Sequence, residues 1–298
     1  MGDNGMVARL LDRHPDNVEG DWYVDTRCID CGACRQLAPG YFGQGAEQSL
    51  VIAQPADGTD RGAWRASEAC PTQSIGTVSR PPRPHGLFPQ ELADGVYYCG
   101  FNSEQSFGAH SFFVRRPEGN LLVDSPRWTR RLAGPIEDLG GIHDVLLTHR
   151  DDVADAERWA DHFGPRVWIH ADDADAAPWA THLVHGSADA EVRPGLTVVP
   201  LPGHTKGSVA YLLDETFLFS GDSLAWEMGK GDAGGDLTAF RHACWYSWTA
   251  QAASLSRLAA AHQFSWVLPG HGGRQELDAG EMHRRLVALV ERMGHRGR

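Results

Sequence analysis

From residue 87 onward, the chain alternates between two patterns of apolar and polar positions. Short apolar runs bounded by Gly, Pro, Asn or Asp have the character of β-strands, and longer segments between them repeat apolar residues at helical spacing. Strands are predicted at 95–101, 111–116, 121–125, 144–149, 166–170, 196–201, 209–213, 216–220 and 265–270, and helices at 127–139, 152–163, 246–262 and 275–293. This interleaving predicts an α/β (α+β) fold with helices covering both faces of β-sheets.

A proline-rich stretch precedes this organised region. The segment SRPPRPHG, residues 79–86, favours an extended connection because proline lacks the backbone donor that a helix needs. We therefore predict a domain boundary there. The predicted parts are an N-terminal extension at 1–19, a small domain at 20–80, a proline-rich linker at 81–86 and a large domain at 87–298 that contains a glycine-rich loop at 229–236.

Charge and composition limit the class of protein. The 298 residues are 42% hydrophobic, have a net charge of -12 and include lysine only as Lys206 and Lys230. An acidic chain without a basic run is a poor partner for nucleic acid or an anionic membrane. No apolar stretch approaches the roughly 18 residues of a spanning helix, and the polar N-terminus is unlike a signal peptide. The sequence predicts a cytoplasmic protein that acts on a small molecule, with an electron-donor protein as a second candidate partner.

Four of the six cysteines are clustered before the proline-rich stretch. Cys28, Cys31, Cys34 and Cys70 form the pattern C-x2-C-x2-C…C-P. Three thiolates at this spacing can hold three corners of an iron–sulfur cube, and the distant fourth can close it. A zinc site and reduced structural thiols are the alternatives, although zinc sites usually pair C-x2-C with a second such pair or with two histidines.

Over residues 20–80, the chain with these cysteines resembles a single-cluster, bacterial-type ferredoxin. The resemblance implies that all four cysteines bind one [4Fe-4S] cluster. The pattern contains no second set of cysteines, which excludes a two-cluster electron wire. Two roles for the cluster stay open at this point: it carries electrons, or it holds together a small domain with little apolar core.

In the predicted large domain, Asp or His stands at the carboxyl end of five apolar runs. Open α/β sheets bind ligands at this end of their strands. One such histidine alone would more often be structural, but histidines and carboxylates together predict a metal site. The five residues are Asp124, His149, His204, Asp222 and His271.

Across residues 87–290 these motifs resemble those of the metallo-β-lactamase superfamily. The resemblance implies an αββα sandwich with a metal site at one edge, preceded here by the small ferredoxin-like domain. It implies that Asp124 orients the site and that His204, in PGHTKGS, and His271, in PGHG, are metal ligands. It also implies that Asp222, in SGDSL, is a carboxylate that can bridge two metal ions.

The second motif of that family is altered in this chain. The family usually shows H-x-H-x-D-H, whereas the chain reads HRDDVADA from His149. Without a gap, Asp151 replaces the second histidine; with two extra residues, Asp155 matches the family aspartate. Because carboxylate is a harder ligand than imidazole, one or two ions of iron or zinc are predicted. The predicted metal ligands are His149, Asp151, Asp155, His204, Asp222 and His271, and the predicted catalytic proton acceptors are Asp222 and Asp155.

A helix start offers a second interpretation of the same aspartates. If a helix begins near Asp152, then Asp151 or Asp152 caps it and Asp155 faces water. Both interpretations are compatible with the spacing. The buried stripe of such a helix would be Val153, Ala156, Ala160 and Phe163.

Candidate substrate-binding residues lie near the C-terminal helices. The segment RHACWYSWTAQ brings Trp245, Tyr246 and Trp248 close together. Aromatic residues at this density usually indicate core packing, and the alternative is a pocket wall for an apolar or planar substrate. Lys206 and Arg150 are candidates for binding an anionic group, or are solvated surface charges.

Three functions are compatible with these features. The leading prediction is a redox enzyme in which the cluster passes electrons to a non-haem metal site. The alternative is a metal-dependent hydrolase of an ester, thioester or lactone, with a structural cluster. A second alternative is a catalytically inactive electron carrier or interaction protein, because a fold does not fix a function.

Overall fold

The computed structural model describes residues 8–56, 60–227 and 234–295. The chain divides into two compact units, of which the first comprises Met1–Ile142 and Ala154–Phe163 and the second His143–Val153 and Gly164–Arg298. The predicted domain boundaries stay predictions. The first residues of the predicted extension and most of the predicted glycine-rich loop lie outside the described ranges.

The cysteine-bearing part of the first unit has two short antiparallel strand pairs and two helices. Its elements are β1 (Trp22–Val24), α1 (Ala33–Leu37), β2 (Phe42–Gln44), β3 (Ser49–Val51), α2 (Arg61–Ala69) and β4 (Ile75–Thr77). Strand β1 pairs with β4, and β2 with β3. The rings of Trp22 and Trp64 pack edge to face, 5.0 Å between centroids, in its core. Asp60 caps α2 by accepting a hydrogen bond from Ala63 N at 2.8 Å, which satisfies a donor that the helix leaves open.

Four strands in antiparallel order and two helices complete the first unit. They are β5 (Gln90–Ala93), β6 (Val96–Tyr98), β7 (Phe112–Val114), β8 (Leu121–Val123), α3 (Arg130–Asp138) and α4 (Ala156–Phe163). Each of these strands pairs with the next one along the chain. Every residue of β7 and β8 is buried, as expected for strands that are covered on both faces.

The second unit contains parallel strands, a six-stranded sheet, a hairpin and two long helices. The parallel strands are β9 (Asp144–Leu146), β10 (Arg166–His170) and β11 (His182–Val184), and the hairpin is β16 (Ala225–Glu227) and β17 (Asp236–Thr238). The sheet, in spatial order, is β12 (Ala190–Arg193), β13 (Leu196–Pro200), β14 (Val209–Leu213), β15 (Phe217–Gly221), β18 (Trp266–Pro269) and β19 (Gln275–Glu276). Helix α5 (Trp248–Ala261) lies between the parallel strands β15 and β18 in sequence, since parallel strands need a long connection. Helix α6 (Ala279–His295) ends the described chain.

The core of the second unit lies between its sheet and helices α5 and α6. Leu218 and Val267 from the sheet are fully buried, as are Leu255 of α5 and Leu286 of α6, and all belong to one apolar cluster. None of the helices in the described ranges is both long and apolar enough to cross a membrane.

The predicted strands and all four predicted helices are confirmed to within four residues at each end. The helix predicted at 152–163 begins only at Ala156, because Arg150–Asp152 form a 3-10 turn, and the helix predicted at 275–293 begins only at Ala279. Ala156 is fully buried, as expected, but Trp159 fills the rest of the buried face. Two of the missed strands, β12 and β19, are short and largely exposed, so they lack an apolar pattern.

Candidate cysteine and histidine–carboxylate sites

The four clustered cysteines line one cavity in the first unit. Cys28 and Cys31 lie between β1 and α1, Cys34 lies in α1, and Cys70 directly follows α2. All four are free thiols. The structure therefore brings together every cysteine that the sequence pattern selects.

The spacing of these sulfur atoms suits a cluster better than a single zinc ion. Tetrahedral zinc, with sulfur at about 2.3 Å, would hold its thiolates about 4 Å apart. Among the residues that the structure describes, no three of the cysteine sulfur atoms lie within 4.8 Å of one another. A cubane binds each thiolate through a different iron, so it does not require three sulfur atoms this close together.

The cysteines in this cavity can be ionised to thiolates only when a cation stabilises them. Burial raises the pKa of the Cys34 thiol to about 12 and also raises the pKa of Cys31 and of Cys70. The thiolate is the form that binds metal, so the positive charge of iron has to offset this burial. Ser74 N donates a hydrogen bond to Cys70 Sγ at 3.3 Å, a contact of the kind that tunes the reduction potential of a cluster.

A loop that follows β6, residues 103–109, lies against the cysteine cavity, and we call it the cover loop. A Cβ atom on Gly108 would lie 2.9 Å from Cys31 Sγ, and the φ of Gly108 is +85°, so only glycine is accommodated without strain. Just after the loop, His110 Nε2 lies 3.1 Å from Gln36 Oε1. The cysteine-bearing region therefore packs against residues that come after the proline-rich stretch, all within the first unit.

Four of the predicted strand-end residues meet in the second unit. His149 follows β9, His204 follows β13, Asp222 follows β15 and His271 follows β18. The ligand atoms of these residues and of Asp152 form two groups, and within each group the atoms lie within 4.8 Å of one another. The first group is His149, His204 and Asp222, and the second is Asp152, Asp222 and His271. Because Asp222 belongs to both groups, the arrangement is suited to two ions that share one carboxylate.

The distances in the first group fit coordination rather than hydrogen bonding. Asp222 Oδ2 lies 3.8 Å from His149 Nε2 and 3.7 Å from His204 Nε2, which is too long for a hydrogen bond. Ligands that each lie about 2.0–2.2 Å from one ion are separated by distances of this order. His149 Nε2 is buried and has no hydrogen-bond partner among the described residues. A cation would satisfy this nitrogen, so the donor set fits a metal.

Neighbouring groups orient these ligands. His204 Nδ1 donates to the carbonyl of Ala243 at 2.5 Å, which leaves Nε2 directed at Asp222. A Cβ atom on Gly270 would lie 2.5 Å from Asp152 Oδ2 and 2.9 Å from Asp222 Oδ1, so any side chain there would displace the two carboxylates. The ligand geometry is thus fixed by backbone as well as by side chains.

The two adjacent aspartates of the altered motif both reach the centre. Asp151 is 45% exposed, and its Oδ2 lies 3.2 Å from His204 Nε2. Asp152 is 1% exposed and belongs to the second group. The turn that contains them has no side-chain cap. The predicted ligand set included Asp151 and omitted Asp152, because both alignments kept or lengthened the spacing of the family motif H-x-H-x-D. If that motif is instead shortened by one residue, Asp151 stands at its second histidine and Asp152 stands at its aspartate.

The two other predicted residues lie in the first unit. Asp155 Oδ2 accepts a hydrogen bond from Trp128 N at 2.6 Å, and its Oδ1 lies 3.4 Å from Gln105 Nε2. Asp155 belongs to neither ligand group. Its predicted roles as ligand and proton acceptor stay predictions that this geometry does not support. Asp124 directly follows β8, is buried and has a φ of +53°, and its predicted orienting role also stays a prediction.

Electrostatics keep His149 and Asp222 in the form that binds metal, whereas they favour the protonated form of His204. Burial lowers the pKa of His149 to about 4, so this imidazole is neutral near pH 7. Burial acts to raise the pKa of Asp222, but the charge and hydrogen bond of His271 outweigh it, and the pKa of this carboxyl lies well below its usual range. Burial acts to lower the pKa of His204, but its hydrogen bond with Asp151 outweighs burial and raises that pKa above the ordinary 6.5.

Comparison with protein families identifies both regions. Residues 91–290 match the model of the metallo-beta-lactamase superfamily. The chain belongs to this superfamily. Residues 24–77 match the 4Fe-4S single cluster domain of ferredoxin I, so a small ferredoxin-like [4Fe-4S] domain precedes a metallo-beta-lactamase sheet sandwich, as predicted. The two regions imply a cluster and metal ions as cofactors.

Individual relatives support the same assignment. A hydroxyacylglutathione hydrolase from Shewanella pealeana is 29% identical over 136 residues, 43% of this chain and 48% of that protein. One from Acidiphilium cryptum is 33% identical over 148 residues, 46% of this chain and 53% of that protein. The chain thus spans about half the length of these relatives.

Solved structures share the metallo-beta-lactamase fold. FIM-1 from Pseudomonas aeruginosa, in its mono-zinc form, aligns with a TM-score of 0.51 at 17% identity, covering 68% of this chain and 94% of that chain. VMB-1 aligns with a TM-score of 0.51 at 16% identity, covering 69% of this chain and 96% of that chain. At this identity the similarity shows the fold alone.

The candidate substrate-binding residues of the metallo-beta-lactamase region differ in exposure. Trp245 is 67% exposed and Tyr246 is 52% exposed, so the prediction that they pack in the core is wrong. Trp248 packs against the apolar cluster of the second unit, as that prediction requires. Both candidate cations form ion pairs, Lys206 with Asp172 and Arg150 with Asp175, each at 2.8 Å.

Proposed function

We propose that this metallo-beta-lactamase chain is a metal-dependent hydrolase of a small ester or thioester. The observation that carries the proposal is the position of Asp222, which joins the two ligand groups. Metal ions bound there would polarise the carbonyl of the substrate and lower the pKa of water. The similarity to hydroxyacylglutathione hydrolases supports hydrolysis as the class of reaction.

The side chains of the site have distinct parts in such a reaction. Water adds to the carbonyl carbon, the C–O or C–S bond breaks, and the proton of the water passes to the leaving alcohol or thiol. Asp151 is the group suited to carry this proton, because it is 45% exposed and lies 3.2 Å from His204 Nε2. In the site without metal, the hydrogen bond with His204 lowers the pKa of Asp151, so this carboxyl is ionised near neutral pH.

The test uses full-length protein purified without oxygen. It is assayed on a panel of neutral and anionic esters and thioesters after removal of weakly held metal and after reloading with zinc or iron. Asp222→Asn is expected to lower kcat/KM by about a hundredfold or more, since the shared ligand is weakened. Asp161→Asn, at an exposed position of α4, is the matched control and is expected to leave kcat/KM unchanged. A metal-loaded protein that hydrolyses no member of the panel would contradict the proposal.

A redox enzyme is the second candidate. It is favoured by the ferredoxin-like domain in the same chain and by carboxylates among the metal ligands, which suit iron. In this case an electron-donor protein is the partner and the cluster passes electrons to the metal site. Iron at the histidine–carboxylate site, with turnover that is lost in Cys31→Ser, would favour this function. Zinc at that site, with hydrolysis unaffected by Cys31→Ser, would exclude it.

A further inference from the structure

Two large aromatic side chains lie exposed beside the histidine–carboxylate site. Trp245 is 67% exposed, Tyr246 is 52% exposed, and they are adjacent in sequence. Single exposed apolar residues are common on protein surfaces, whereas a cluster next to a polar site is typical of ligand binding. Trp248, only two residues further on, does pack against the core, so the exposure of Trp245 and Tyr246 is local to this segment.

The backbone fixes this aromatic pair against a metal-ligand residue. Trp245 N and Tyr246 N both donate to the carbonyl oxygen of His204, at 2.9 and 3.0 Å. Ser247 N and Cys244 Sγ both donate to the carbonyl oxygen of Gly203, at 3.0 and 3.1 Å. Four hydrogen bonds therefore hold this segment to the backbone of Gly203 and of the ligand residue His204. The two aromatic side chains are exposed, but the backbone that carries them is fixed.

The ring of Trp245 is also close to the reacting centre. The ring centroid of Trp245 lies 6.2 Å from that of the His204 imidazole. His204 Nε2 in turn lies 3.7 Å from the shared carboxylate of Asp222. A group bound on the Trp245 ring would thus be about one side chain away from a carbonyl that is positioned at the metal centre.

Charges near this surface favour an uncharged ligand. Lys206 Nζ lies 2.8 Å from an oxygen of Asp172, and Arg150 Nη2 lies 2.8 Å from an oxygen of Asp175, so an acidic partner already offsets each candidate cation. Asp151 adds a half-exposed negative charge at the centre. An anionic acyl group would meet this carboxylate without a dedicated cation, whereas a neutral aromatic ring can stack on Trp245.

We propose that Trp245 and Tyr246 form the acyl-binding surface of the enzyme and select substrates with an uncharged aromatic acyl group. This inference rests on the proposed hydrolase function and names its substrate class. The aromatic acyl group packs on the Trp245 ring, Tyr246 flanks it, and the carbonyl is held at the site of Asp222. The surface contributes to binding of the acyl group and takes no part in proton transfer.

The experiment compares two thioesters with the same neutral leaving group, one carrying a phenylacetyl and one an acetyl group. Trp245→Ala is expected to lower kcat/KM for the phenylacetyl thioester by about tenfold or more and to leave kcat/KM for the acetyl thioester almost unchanged. Leu183→Ala, which removes an exposed apolar side chain on β11, is the control and should alter neither value. Titration with neutral phenylacetamide, followed by quenching of tryptophan fluorescence, measures binding without catalysis and should show weaker binding in Trp245→Ala.

The outcomes separate this inference from the proposed function. Binding of phenylacetamide that Trp245→Ala abolishes, in a protein that hydrolyses neither thioester, would support the surface and contradict the hydrolase. Hydrolysis of both thioesters with an equal change in Trp245→Ala would overturn the surface and support the hydrolase. Preferential hydrolysis of a succinyl thioester, lost in Lys206→Ala, would also overturn the inference, because the recognised acyl group would then be anionic.

Discussion

The two candidate sites of this chain differ in how their ligands are distributed along the sequence. The cysteine site takes three of its four ligands from one short loop and helix start, and the fourth follows α2 in the same small region. The histidine–carboxylate site takes its ligands from the ends of four different strands of the second unit. Local spacing therefore fixes the first set, whereas the second depends on how distant strands are arranged and on one altered motif.

The largest effect is expected from removing a cysteine ligand. Cys34→Ala deletes a buried cluster ligand, so the protein should lose the cluster and the cysteine-bearing region should lose its folded structure. Iron and sulfide analysis with visible absorption measures the loss, and Cys244→Ala, a partly exposed cysteine of the second unit, is the control. If the two sites are independent, metal binding at the histidine–carboxylate site is retained in Cys34→Ala; simultaneous loss at both sites would contradict that independence.

The next effect distinguishes the aspartates of the altered motif. Asp152→Asn removes a buried ligand of the second group and should weaken metal binding there by more than about tenfold. Asp155→Asn should leave metal affinity unchanged, because this carboxylate accepts its hydrogen bond from Trp128 N in the first unit. Competition with a chromogenic chelator measures both affinities. The reverse order of effects would restore Asp155 as a ligand in place of Asp152.

A smaller effect is expected at the cover loop. Gly108→Ala places a methyl group 2.9 Å from Cys31 Sγ and should shift the midpoint potential of the cluster and shorten its lifetime in air. Gly86→Ala is the matched control, because Gly86 also has a positive φ, +62°, but has nothing within 4 Å of its added methyl. Both substitutions share the backbone strain of about 1 kcal/mol. Equal potentials and lifetimes in the two variants would show that the cover loop does not influence the cluster.

The smallest effect is a pH dependence confined to the histidine–carboxylate site. The hydrogen bond between His204 and Asp151 raises the pKa of His204 above 6.5. A proton therefore has to leave this imidazole before a metal binds. Metal affinity should therefore rise with pH through the neutral range and level off once His204 is deprotonated. Metal titrations at acidic, neutral and alkaline pH measure this. Asp151→Asn should move the rise to lower pH, and an unchanged midpoint would contradict the role of that hydrogen bond.

Sequence patterns were sufficient for the parts of the molecule that local chemistry determines. The C-x2-C-x2-C…C-P spacing selects the four cysteines that line the cavity, and the strand-end positions of His204, Asp222 and His271 place them in the ligand groups. Apolar periodicity also locates the main strands and helices. In these cases a residue type and its position relative to one element decide the outcome.

Sequence patterns failed where tertiary contacts decide. Asp151 and Asp152 are adjacent and chemically identical, and only the path of a 3-10 turn makes one half-exposed and the other buried. Trp245 and Trp248 have the same side chain, yet hydrogen bonds to His204 hold the segment of the first at the surface, while α5 packs the second, partly buried, against the apolar cluster. Neither distinction follows from hydrophobicity or spacing.

The most direct test of the account is a metal titration of the full-length, cluster-containing protein. Its central claim is that Asp222 joins two ligand groups. Wild-type protein should bind two ions in addition to the cluster, His271→Ala should bind one, and Asp222→Ala should bind neither tightly while retaining the cluster. Full binding of both ions by Asp222→Ala, or a single ion in wild type that His271→Ala leaves unaffected, would contradict the claim.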